Sequence, residues 1–144
     1  MAEATKKFRL QLITPQRIVY DEQVDMVIME TVDGQIGVMA GHEPVATVLG
    51  LGALKIENDF NTEYYAVFGG FVDISQSDVV VLADICEKAD EIDQARAAAA
   101  KARAEERVKD SSASIDMMRA QAAMRRALVR LELGAMPAAK PRGE

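Results

Sequence analysis

A chain of 144 residues with a net charge of −6 suits one or two small domains, and so acidic a surface is a poor match for nucleic acid. Residues 1–86 carry five Lys/Arg against thirteen Asp/Glu, whereas residues 87–144 carry twelve against ten, so the two parts face different electrostatic partners. Cys86 stands alone, which excludes an intrachain disulfide and points to a reducing compartment. No run approaches the ~20 apolar residues that span a bilayer, and the start, Met1 to Lys7, has neither signal-peptide nor transit-peptide character. The expectation is a protein of the cytosolic side that meets a membrane only through a partner.

Residues 8–83 read as β. Phe8, Leu10 and Leu12 alternate with Arg9 and Gln11, the period of a half-buried strand. Pro15 ends that run. Further strands are predicted at Ile18 to Tyr20, Val24 to Thr31, Ala53 to Glu57, Tyr64 to Phe68, Phe71 to Ile74 and Val79 to Ala83. Between them lie a turn at Asn58 to Asn61, the pair Gly69-Gly70 and the polar Ser75 to Asp78. Short strands at this spacing indicate a sandwich or flattened barrel.

Near residue 90 the pattern changes. Ile92 to Val108 holds no Gly or Pro and has Ala at seven positions, which predicts a helix able to lie close to a neighbour. Asp90 is the expected N-cap, with Glu91 and Asp93 favouring the positive end of the helix dipole. Lys109 to Ser114 is a polar break whose last serine suits the cap of a second helix, Ile115 to Leu133, stopped by Gly134 and Pro137. On it Met117, Met124, Leu128 and Leu131 form one stripe, with Ala120 and Ala127 alongside. The reading is β + α: a sandwich domain over 1–86, an antiparallel helical hairpin over 87–134 and a disordered tail over 135–144. Stripes this thin bury little area, so the hairpin is expected to be marginally stable.

Candidate chemistry is sparse. One histidine and one cysteine without clustered carboxylates make no metal-ligand set, and no nucleophile–base pair emerges. Glycines at 34, 37, 41, 50 and 52 match no nucleotide loop and suit corners between strands, with His42 fixing the corner between Gly41 and Pro44. Asp93 and Arg96, three apart, share the first helical turn as an exposed ion pair. Arg119, Arg126 and Arg130 share a face of the second helix, with Arg125 beside it: a solvated basic face or a docking surface.

The string Gly34-x-x-Gly37-x-x-x-Gly41-His42-x-Pro44, the strand Gly69-Gly70-Phe71-Val72-Asp73-Ile74 leading to Val79 to Asp84, and Ile92-Asp93-x-x-Arg96-Ala97 occur in that order. Together they resemble the ε subunit of F-type ATP synthases over residues 8 to about 133. The resemblance implies a non-catalytic regulatory subunit of the rotor. By the same resemblance it would couple proton-driven rotation to ATP synthesis and restrain ATP hydrolysis through its helices. The implied partners are the γ subunit, the c-ring and the α/β catalytic head. Localisation would be peripheral, on the cytoplasmic side of a bacterial plasma membrane. Asp33, Gln35 and His42 fall in the region near the ring, although some relatives carry an acidic residue where this chain has Gln35. Arg119, Arg125, Arg126 and Arg130 would meet an acidic segment of the β subunit. No cofactor is required, but a regulatory ATP is implied at Glu87, Ile92, Asp93, Arg96, Ala97, Arg103, Arg126 and Arg130. Of these, Arg126 and Arg130 lie one helical turn apart, a spacing that suits a polyphosphate. The competing reading is a free-standing nucleotide-sensing protein with the same hairpin.

Overall fold

The structure, a computed structural model, describes residues 6–110 and 114–135. It contains eight strands: β1 (Phe8–Ile13), β2 (Ile18–Val24), β3 (Met26–Thr31), β4 (Gly34–Met39), β5 (Val45–Val48), β6 (Leu51–Asn58), β7 (Asn61–Ile74) and β8 (Asp78–Lys88). A 3₁₀ turn, Ala89–Glu91, leads to the helices α1 (Gln94–Asp110) and α2 (Ser114–Gly134). This is the sandwich followed by two helices that the sequence predicts.

Hydrogen bonding runs in the order β2-β1-β8-β7-β6-β3-β4, with β5 on the free edge of the far part of β7. Two strands belong to both layers. In one layer Phe71 to Ile74 of β7 pair with β5 and with Val79 to Leu82 of β8, whose neighbour is β1 in parallel. In the other, Tyr65 to Phe68 pair with β6 and with Ile85 to Lys88. The core between the layers takes alternate residues from each: Phe8, Leu10 and Leu12, then Leu54 and Ile56, then Val79 and Val81. Tyr20 and Tyr65 cross it edge to face, ring centroids 6.1 Å apart.

Three local differences from the predicted elements have physical causes. The glycine string is not all corner, since it contains β4 and β5. Only Gly34 (φ 120°) and Gly41 (φ 84°) occupy the left-handed region, and Gly37 lies within β4. Tyr64 to Phe68 and Phe71 to Ile74 are one strand, because Gly69 and Gly70 bend the chain without breaking its pairing with β8. The helix begins at Gln94 and is capped by Asp93, whose Oδ1 accepts from the Arg96 amide at 3.0 Å, so Asp90 is not the cap. Asp90 falls instead in the preceding 3₁₀ turn. Ser114, the expected cap of the second helix, is the first residue of α2, while the polar break at 111–113 and the expected tail beyond Ala135 fall outside the described residues.

The helices run antiparallel, with the Gln94 side chain against Gly134. Their seam is alanine: Ala97 and Ala104 on α1, Ala120 and Ala127 on α2, each pair seven residues apart and buried. Leu128, expected in the stripe, is 44% exposed; it lies on neither the seam nor the side that meets the sheet. That side presents Val129 and Leu133 to β6 and β7.

Gly70 is the position least open to change. Its φ is 123°, and a Cβ there would stand 2.0 Å from the Leu82 carbonyl oxygen. Gly70→Ala is expected to lower stability by about 2 kcal/mol or more, measured by urea unfolding followed by circular dichroism.

Candidate functional site

The β domain and the helices meet at one junction. The end of β8 supplies Glu87, the middle of β7 supplies Ala66 and Phe68, and α2 supplies Val129, Arg130 and Leu133. Ile92 and Ala89, from the connection, pack into the same cluster with Leu51, Ala53 and Tyr64 of the sheet face. Burial of Leu133 accounts for about 1.5–3 kcal/mol, the largest single apolar contribution from α2.

The polar centre of the junction is Arg130. Its Nε and Nη2 donate to the two carboxylate oxygens of Glu87 at 2.9 and 2.8 Å. The guanidinium carbon also lies 4.8 Å from the centroid of the Phe68 ring. The pair is partly exposed, so solvent screening limits it to about 1 kcal/mol despite its two-pronged geometry.

Five of the eight residues expected to hold a nucleotide therefore gather near the junction. Glu87 and Arg130 bind each other, Ile92 packs in the cluster, Asp93 caps α1, and Ala97 is buried in the helical seam. Arg96 receives the cap through its backbone, and its side chain is exposed. Arg103 is exposed farther along α1, and Arg126 is half-buried one turn before Arg130. Arg119 and Arg125 are exposed on α2.

Asp33 and Gln35 sit on the β3–β4 hairpin, whose base adjoins Leu49 and Gly50 just before β6. Thr31 Oγ1 accepts from the Asp33 amide at 3.2 Å and donates to the Gly34 carbonyl at 2.7 Å, which fixes this turn. Gln35 Nε2 donates to Glu30 at 3.0 Å. His42 Nδ1 lies 2.7 Å from the Glu43 carbonyl; a carbonyl only accepts, so Nδ1 is the donor of this contact. Among the described residues no three of His, Cys, Asp and Glu converge as a metal set. Burial pushes the Cys86 thiol up to about 11, which leaves it neutral and a weak nucleophile at physiological pH.

Sequence reasoning missed Phe68, Val129 and Leu133. The signal was present for Phe68, since Tyr64 to Phe68 is apolar without alternation, the mark of a strand covered on both faces. A second apolar surface also escaped notice: a groove of about 420 Å³ on the outer face of β5, β7 and β8, lined by Val48, Phe71, Asp73 and Leu82 among others.

Comparison with known proteins agrees with this division of the chain. Residues 7–89 match the family described as ATP synthase, Delta/Epsilon chain, beta-sandwich domain, and residues 90–133 its long alpha-helix domain. The chain is 46% identical over 123 residues to the ATP synthase epsilon chain of Symbiobacterium thermophilum, covering 85% of this chain and 88% of that one. Over 127 residues it is 39% identical to the epsilon chain of Caldicellulosiruptor saccharolyticus, covering 88% and 93%. Two solved structures share the fold. A chain of the Euglena gracilis mitochondrial ATP synthase (OSCP/F1/c-ring) superposes with a TM-score of 0.78 at 24% identity, covering 88% of this chain and 79% of that one. A chain of the Tetrahymena thermophila mitochondrial ATP synthase central stalk and c-ring gives 0.64 at 14% identity, covering 92% and 100%.

The cap on α1 is a direct test of how the junction is built. Asp93→Ala is expected to cost about 1 kcal/mol and to speed hydrogen exchange at Arg96 and Ala97, whereas Asp93→Asn keeps most of the protection. Amide exchange followed by NMR reads both.

Proposed function

The chain belongs to the ε-chain family of F-type ATP synthases, and on that premise we propose that it serves as a non-catalytic central-stalk subunit. In this reading the sandwich couples rotation of a c-ring to a γ subunit, and the helices form an arm that restrains ATP hydrolysis. The arm's thin attachment carries the proposal. Val129, Leu133 and one ion pair hold α2 to the sheet, so undocking costs little compared with unfolding the sandwich.

Two surfaces of the sandwich support the division of roles. The β3–β4 turn, with Asp33 and Gln35, and the following loop with His42 offer fixed polar groups to the ring. The open groove around Phe71 and Leu82 offers γ an apolar surface of the kind that stable interfaces bury. Among the described residues no helix is long and apolar enough to cross a membrane, which fits attachment through the complex.

When the arm leaves the sandwich, Arg130 is freed and joins Arg119, Arg125 and Arg126 in facing an acidic segment of the catalytic head. Guanidinium–carboxylate contacts in a partly dry interface oppose rotation in the hydrolysis direction. A regulatory ATP engaging Arg96, Arg103 and Arg126 would bridge the two helices and favour the folded arm.

Truncation tests the arm, and the structure dictates where to cut. A stop after Asp84 would remove Ile85 to Lys88, which pair with β7 and include buried Cys86. Residues 1–91 keep β8 whole. A complex assembled with this shorter chain is expected to hydrolyse ATP severalfold faster; an unchanged rate removes the inhibitory role. For the nucleotide, titration calorimetry of the full chain with millimolar ATP is expected to give saturable 1:1 heat that Arg126→Ala weakens. Absence of heat removes ATP from the reading.

A further inference from the structure

We infer that Glu87, Phe68 and Arg130 form one latch that holds the arm on the sandwich, and that the arm is released only when Arg130 gives up Glu87. The argument begins with direction. Leu133 and Val129 meet the sheet through apolar contact, which tolerates sliding. The two hydrogen bonds from Arg130 do not slide. Among the described residues, they are the ones that tie a side chain of the arm to the sandwich. The Phe68 ring supports the face of the guanidinium while Glu87 grips its edge, so both the plane and the rotation of the group are fixed.

Both receivers sit on rigid strands. Glu87 stands opposite Ala66 in the β7–β8 pairing, and Phe68 is two residues farther along on the same outward face. Arg130 is thus read at a single place, one turn from the end of α2. A carboxylate of similar strength elsewhere competes with Glu87 for the same fork. The proposed function gives Arg130 such a second receiver in the catalytic head, and this part of the inference rests on that reading. One guanidinium serves either the docked arm or the extended arm.

Two substitutions then part company. Glu87→Gln and Arg130→Gln both weaken docking, but only the first leaves Arg130 free for the head. In the full chain, hydrogen exchange at residues 129–134 is expected to quicken about fivefold in either variant. The double variant should be no faster than the singles. Exchange at Leu10 to Leu12 and Val79 to Val81 should stay unchanged, which reports an intact sandwich. Wild-type exchange in Glu87→Gln, or effects that add in the double variant, would overturn the latch. In the assembled ATPase, Glu87→Gln is expected to slow hydrolysis and Arg130→Gln to speed it. Equal rates in both, with the exchange result standing, would keep the latch and remove the inhibitory reading of the arm.

Discussion

Strand β7 is fourteen residues long and serves both layers, and it does so through Gly69 and Gly70. Both have positive φ, and a side chain at Gly70 would overlap the backbone of β8. The corner also corrects the facing of the strand. Val67 and Val72 both point into the core although five residues apart, which strict alternation forbids. β8 makes the matching adjustment, since Ala83 and Cys86 both face inward three residues apart. One outward face therefore runs along the two bent strands. Ala66, Phe68 and Glu87 lie on the half that the arm covers, and Phe71 and Leu82 on the half left open. Closure of the sandwich, the seat of the arm and the open groove all follow from two residues without side chains.

The sandwich and the arm differ in what holds them. The core packs Phe, Leu, Ile, Val, Met and Tyr from all but one of the eight strands, with long-range pairing on every side. The arm has an alanine seam, which allows close approach but removes little apolar area from water. Its hold on the sheet is concentrated in the last turns of α2. The polar part of that hold is partly exposed, so salt screens it. A rigid body with a lightly held lever is the mechanical arrangement that the proposed regulatory role needs.

Much of the fold was legible because local chemistry decides it. Alternation placed β1, and the Ala-rich stretch without Gly or Pro placed α1. Strands β4 and β5 were hidden by glycine and proline, which read as loop even where neighbouring strands provide the pairing. The cap was misplaced by three residues for a similar reason. Asp90 and Asp93 are both competent caps, and the choice between them depends on Ile92, which packs under α2 and keeps the chain non-helical until Asp93. The site was less legible. Glu87 and Arg130 are separated by 43 positions, and no periodicity links them. Resemblance to the family named both residues but said nothing of their pairing.

That pairing alters what the basic face of α2 means. A helix carrying Arg119, Arg125, Arg126 and Arg130 looks from sequence like four equivalent charges. In the folded protein Arg119 and Arg125 are exposed, Arg126 is half-buried, and Arg130 is already committed to a carboxylate and a ring. Exposed arginines set the long-range field of the arm and its rate of encounter with an acidic surface. A committed arginine acts differently, because each new contact is offset by the loss of an existing one. The free energy of that exchange is the difference between two carboxylates for one fork, a small quantity of adjustable sign. Small differences of this kind let an arm change position in response to modest changes in its surroundings, while the sandwich beneath it stays as it is.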